Sequence, residues 1–167
     1  MDKISKKDKT KKQSAGIILF NIDDNLNITY LLVHPGGPFW KNRTTGSWSI
    51  PKGEIEENDD ILKTAIREFE EETGIKAEEP FIDLGSIKQK AGKVVYAWAC
   101  KGDKVTKINC TSMVNLEYPS NSGKILTFPE VDDCKMYTKE ECKVYINSAQ
   151  YELIEKLEKY IKTEYFK

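Results

Sequence analysis

GEIEENDDILKTAIREFEEETGI, residues 53 to 75, is the stretch on which the reading of this chain turns. From Asp59 to Thr73 the apolar residues Ile61, Leu62, Ala65, Ile66 and Phe69 recur at the spacing of an amphipathic helix. Asn58 or Asp59 is suited to cap its N-terminus, and Gly74 to end it in the left-handed conformation. On such a helix Glu68, Glu71 and Glu72 cover an arc of roughly 100°, so three carboxylates share the edge beside the apolar stripe. Like charges on adjacent turns repel by a few tenths of a kcal/mol per pair in water, and a helix that is only structural gains nothing from grouping them. A hard divalent cation removes that penalty. Mg2+, or Mn2+ in its place, takes oxygen ligands in octahedral geometry at about 2.0–2.1 Å and keeps positions for water and phosphate oxygens. It would polarise a pyrophosphate and lower the pKa of an attacking water, which makes phosphoanhydride hydrolysis the expected chemistry.

The offsets are more specific than the acidity. Gly53, an acid at 59, Arg67-Glu68-Phe69, Glu71-Glu72 and Gly74-Ile75 fit the pattern G-x5-E-x7-R-E-U-x-E-E-x-G-U, with U apolar and Asp59 the one departure. At ordinary residue usage the six identities should coincide no more than about once in a million starting points. The chain has two arginines, Arg43 and Arg67, and one of them falls on the motif position. This pattern resembles the signature of the Nudix hydrolases. The resemblance implies that Glu68 and Glu72 are primary metal ligands with Glu71 assisting, one of them, foremost Glu68, serving alternatively as general base. It further implies that the Lys52 carbonyl is a ligand, that Gly53 lets the backbone approach the metal, and that Arg67 pairs with the acid at 59. Asp59 keeps the charge of the usual glutamate and loses one methylene of reach.

The resemblance extends outward. Trp48-Ser49-Ile50-Pro51-Lys52-Gly53-Glu54 is similar to the strand and loop leading into the signature of Nudix enzymes that act on nucleoside triphosphates or dinucleoside polyphosphates. Phe128-Pro129-Glu130-Val131-Asp132 is similar to their strand before the final helix. Such enzymes commonly recruit an acid from outside the signature, and Glu117 and Glu130 are the candidates. Animal-type dinucleoside tetraphosphate hydrolases often carry His after Pro-Lys-Gly, whereas this chain has Glu54, which favours a triphosphate or a bacterial-type dinucleotide substrate. A regulatory nucleotide-binding module and an RNA-decapping enzyme are the alternatives.

Substrate contacts are sought in side chains that suit phosphates and bases. Lys52 is a point charge for phosphate, and His34 is a hydrogen-bonding group at a strand end. Phe39, Trp40 and Trp48 are aromatic faces, of which Trp40, in a glycine-rich loop, is the first choice for stacking. The loop from Glu117 to Lys124 is expected near the substrate.

The remaining pattern supplies the scaffold. Ser14–Phe20 and Ile28–His34 read as a hairpin about Asp23 to Asn25, with a loop at His34 to Pro38. Trp48 to Pro51 reads as a short strand, Leu84–Gln89 and Lys93–Cys100 as a second hairpin, and Lys107 to Leu116 as a further strand. Thr138 to Glu141 has capping-box spacing. The last helix shows the stripe Leu153, Ile154, Leu157, Tyr160, Ile161 and the i,i+4 pairs Glu152/Lys156, Glu155/Lys159 and Glu158/Lys162. The order implies an α+β fold, an α/β/α sandwich with a mixed sheet between helices. At 167 residues the chain suits one domain, residues 14–167, after a flexible lysine-rich tail over 1–13.

Lys+Arg 26 against Asp+Glu 27 gives a formal charge of -1, so no basic field points to a nucleic-acid partner. The four cysteines Cys100, Cys110, Cys134 and Cys142 lack zinc-ligand spacing. No apolar run approaches the ~18 residues of a membrane span, nor is there a secretory h-region. A cytoplasmic protein with reduced thiols is expected, with a nucleotide as its small-molecule partner and homodimerisation as a possibility.

Overall fold

The computed structural model describes residues 12–166, and most of the lysine-rich tail lies outside them. Eight strands and three helices follow one another: β1 (Gln13–Ile22), β2 (Ile28–Pro35), β3 (Lys52–Glu54), α1 (Ile61–Thr73), β4 (Ile82–Lys88), β5 (Val94–Lys101), β6 (Met113–Glu117), β7 (Ile125–Pro129), β8 (Val131–Tyr137), α2 (Lys139–Tyr145) and α3 (Tyr151–Tyr165). The main sheet runs β4-β5-β1-β2-β8, with β3 also paired to β1, and β6 and β7 form a separate hairpin. β1 and β5 are parallel while the other pairs of the main sheet are antiparallel, so the sheet is mixed, as expected.

Alternation along β1 explains the layering. Ala15, Ile17 and Leu19 face Ala65 and Phe69 of α1, whereas Ile18 and Phe20 belong to the core beneath Leu153, Ile154, Leu157 and Ile161 of α3. Adjacent residues of one strand thus feed two cores, which is the α/β/α sandwich that the sequence pattern implied. The expected i,i+4 pairing on α3 is made by Glu158 and Lys162 (3.7 Å), and Glu158 also accepts a hydrogen bond from the Tyr30 hydroxyl (3.0 Å). Lys156 instead donates to the carbonyl of Leu84 (2.8 Å), which ties α3 to β4.

Three local expectations are corrected. Asp60 caps α1, accepting from the Lys63 N–H, because Asn58 adopts φ 68° and the Asp59 carboxylate turns back to the Glu56 N–H. An N-cap needs extended backbone, which Asn58 does not have. Trp48 to Pro51 is no regular strand; it makes single bridges, and regular pairing begins at Lys52. Of Lys107 to Leu116, only the part from Met113 is strand. The Asn109 and Thr111 N–H groups instead donate to the carbonyls of Thr73 (2.9 Å) and Glu71 (2.8 Å), satisfying the end of α1. The capping box at Thr138 and Glu141 and the left-handed Gly74 are present as read.

The segment from Ser49 to Glu54 is a wedge. Val33 and Ser49 exchange backbone bonds (2.8 and 2.9 Å), Ile17 donates to the Pro51 carbonyl (3.2 Å), and Gly53 then pairs with Ala15 of β1. β1 pairs with β2 only over Phe20 to Ile22, so the wedge fills the opening where those strands part. Buried Gln150 holds it from behind: the Gln150 Oε1 accepts the Ile50 N–H (3.0 Å), and its Nε2 donates to Ser49 Oγ and Gln89 Oε1 (both 3.0 Å). No described helix is long and apolar enough to cross a membrane.

Candidate active site

α1 packs over β1 and β3, and this brings its acidic edge onto the wedge. A Cβ at Gly53 would lie 2.0 Å from Glu68 Cδ and 2.1 Å from its Oε2, so only a glycine leaves room for that carboxylate. Glu68, Glu72 and Glu130 each place a carboxylate oxygen within 4.8 Å of the others. Glu72 is 2% exposed.

Their electrostatics follow from crowding. Burial, then Glu130 and Glu68, push the Glu72 carboxyl up to about 9, against the opposing pull of Lys52. Burial, Glu71 and Glu130 also raise Glu68, with Arg67 opposing. Burial lowers the Lys52 ammonium, and the attraction of Glu72 and Glu130 offsets part of that. Three hard oxygen donors that converge and resist sharing negative charge fit a Mg2+-like cation, because a divalent ion supplies the missing compensation.

Glu130 arrives from far along the chain and is held at three points. Its N–H donates to the Ser112 carbonyl (2.9 Å), its carbonyl accepts the Gly36 N–H (2.9 Å), and its Oε2 accepts the Ser112 hydroxyl (2.5 Å). Gly36 and Gly37 make the approach possible, since a Cβ at either would strike Pro129 O (2.1 Å) or the Phe128 ring (2.5 Å). Glu117, the other candidate acid, ends β6 at the opposite tip of the hairpin, where it accepts the Asn121 N–H (2.7 Å). The structure brings Glu130 to the signature acids and leaves Glu117 and its loop apart from them. Ser112 had no place in the sequence reading; it lies in irregular chain, and no local pattern marks it.

Glu71 is outside the trio. It turns to Arg67 Nε (3.8 Å), and Arg67 also approaches Glu68 (3.5 Å) and, at the longer distance of 3.9 Å, Asp59. Among the possible substrate contacts, Lys52 lies beside the cluster. His34 is buried and engaged at both nitrogens, with Asp132 Oδ1 (2.9 Å) and the Arg43 carbonyl (2.6 Å), and its ring packs edge-on to buried Trp48. That leaves His34 and Trp48 as supports of the β2 end. Trp40 is exposed, with the Arg43 guanidinium over its ring at 5.6 Å, and Phe39 meets Tyr118 edge to face.

Comparison with known proteins agrees with the fold. A family model described as NUDIX domain matches residues 10–157. The chain is 29% identical over 97 residues to the asymmetrical bis(5'-nucleosyl)-tetraphosphatase of Rattus norvegicus, covering 52% of this chain and 62% of that protein. It is 55% identical over 98 residues to the mRNA-decapping protein g5R of African swine fever virus, covering 50% of this chain and 38% of that protein. The chain therefore spans less than two thirds of the length of these curated relatives. The crystal structure of a C. elegans Ap4A hydrolase binary complex superposes with a TM-score of 0.62 at 21% identity, over 90% of this chain and 98% of that one, which shows the fold.

Proposed function

Because this chain belongs to the Nudix family, we propose that it hydrolyses a phosphoanhydride bond in a nucleoside diphosphate linked to a further group, a dinucleoside polyphosphate or a nucleoside triphosphate first among them. The observation that carries this reading is the convergence of Glu68, Glu72 and Glu130 over Gly53. These three would hold Mg2+ or Mn2+, with the Lys52 carbonyl nearby at the start of the wedge strand. When bound, the cation offsets phosphate charge and lowers the pKa of a coordinated water.

The chain's own groups divide the remaining work. The Lys52 ammonium binds a phosphate oxygen. Glu68, half-buried where Glu72 is buried, serves alternatively to ligation as the base that takes the proton of the attacking water. Arg67, clasped by Glu71, braces Glu68 from outside. Ser112 orients Glu130 by its short hydrogen bond. Trp40 offers an exposed face on which a base would stack. The reading includes a cytoplasmic location, in keeping with four cysteines as free thiols.

The test is product analysis with Mg2+ and a panel of nucleoside triphosphates, dinucleoside polyphosphates, ADP-ribose, nucleotide sugars and capped RNA, comparing wild type with Glu72→Gln. Capped RNA stands for a second reading, favoured by the 55% identity to the viral decapping protein. Metal-dependent cleavage of one class, lost in the variant, is the expected result. Nucleotide binding without turnover across the panel would instead identify a regulatory module.

A further inference from the structure

The described residues form an open concavity, of about 590 Å³, to which none of the three clustered acids contributes. It lies where Leu19 and Cys100 pair across β1 and β5, under the irregular chain that begins at Gly102. Leu19 stands four residues, about 13 Å, along β1 from Ala15, the partner of Gly53. Its floor is apolar: Leu19, Val105 and the partly buried Ile75. Its rim is basic, with Lys76, Lys101, Lys104 and Lys107 against Glu78 and Asp103. Lys101 leans over the Tyr165 ring and Lys104 lies within electrostatic reach of Asp23, while Lys76 and Lys107 make no ion pair among the described residues. The end of α1 nearby would ordinarily repel an anion. Here the carbonyls of Glu70, Glu71 and Thr73 are already bonded by Gly74, Thr111 and Asn109, and the four lysines of the rim outnumber its two acids.

We propose that this pocket is a second binding site for a nucleoside polyphosphate, with the base on the apolar floor and the phosphates on the lysine rim. A concavity of this size exceeds what a lone phosphate needs and suits a nucleotide. An apolar floor beneath cationic edges matches the two halves of that ligand. The site is also joined to the carboxylates by chain. The segment from Gly102 lines the pocket, then spends Asn109 and Thr111 on the end of α1 and Ser112 on Glu130. A ligand that orders this segment steadies the residue that orients Glu130.

The experiment is calorimetric titration of ATP into Glu72→Gln protein in EDTA, so that the outcome does not depend on hydrolysis or on metal. Binding is expected, weakened at least tenfold by Lys104→Glu with Lys107→Glu, two exposed positions, and little changed by Lys52→Ala. On wild-type protein, hydrogen exchange across residues 102–112 should slow when ATP is added in EDTA. Absence of binding by folded protein overturns the proposal, as does loss of binding through Lys52→Ala alone, which would place the nucleotide at the carboxylates. Tripolyphosphate binding as tightly as ATP would show a plain anion site, and single-stranded RNA binding tenfold tighter would show a nucleic-acid surface; either result refutes the nucleotide site.

Discussion

Gly53→Ala places a methyl group where the Glu68 carboxylate sits, so that carboxylate must move by more than an ångström. Misplacement on that scale costs about 100-fold in rate, and we expect kcat to fall by that factor while the protein still unfolds cooperatively. Steady-state kinetics beside a denaturant titration would check both halves. Ser112→Ala removes the hydrogen bond that aims Glu130, and a charge-assisted bond of this kind is worth roughly 1.5–3 kcal/mol. The expected loss is about tenfold or more in activity, with a matching rise in the metal concentration needed for half-maximal rate. Asp59 holds Arg67 only at 3.9 Å, so Asp59→Glu should change turnover less than tenfold; a larger gain in the same kinetics would give the acid a direct part in the chemistry. Glu68, Glu72 and Gly53 were legible because their spacing is local or fixed by the signature. Glu130 was one of two equal candidates, since only tertiary pairing separates it from Glu117. The trace that favours it is the Gly36-Gly37 pair, whose missing side chains admit Phe128 and Pro129. Ser112 left no trace, because a serine in irregular chain gains its role from a partner 18 positions away.

At the scale of elements, helices were easier to read than the connections between them. The 3.6-residue period and the C-terminal end of α1 are written locally, but the N-cap expected at Asn58 or Asp59 falls one residue later, at Asp60, because backbone conformation decides it. The chain around Lys107 looked like a strand by composition, yet its N–H groups go to the end of a helix. Composition records what a segment tolerates and not which partner it finds. The wedge was likewise invisible as such, since its support, Gln150, lies about a hundred residues away. Gln150→Leu strands the buried Ile50 N–H, while the Ser49 hydroxyl keeps its bond to the Ile50 carbonyl, at a cost of about 1–3 kcal/mol. Thermal unfolding should show that loss, and kcat should fall with it because Lys52 and Gly53 follow directly. Thr138→Ala, at the cap of α2, makes a useful contrast: roughly 0.5–2 kcal/mol of stability without the catalytic defect.

For the whole molecule, the crowded carboxylates make stability depend on pH in an unusual direction. With Glu72 raised from 4.5 to about 9, the folded, metal-free protein binds more protons than the unfolded chain across that interval. Its contribution is fully present below 4.5 and is lost as pH rises toward 9. Thermal melts in EDTA should therefore show stability falling over this window, and Glu72→Gln should flatten the trend. Added Mg2+ should stabilise more at the alkaline end, since the cation binds the charged carboxylates and displaces protons. The wedge has a consequence at the same scale. Trp48, buried at its start between the rings of His34 and Tyr137, is an intrinsic fluorophore built into the seam that also seats Gly53. Opening the seam moves an indole from an apolar setting into water and dismantles the floor of the carboxylate cluster in one event. The red shift of tryptophan emission and the disappearance of turnover should trace one curve against denaturant, so that light alone reports the integrity of the proposed site.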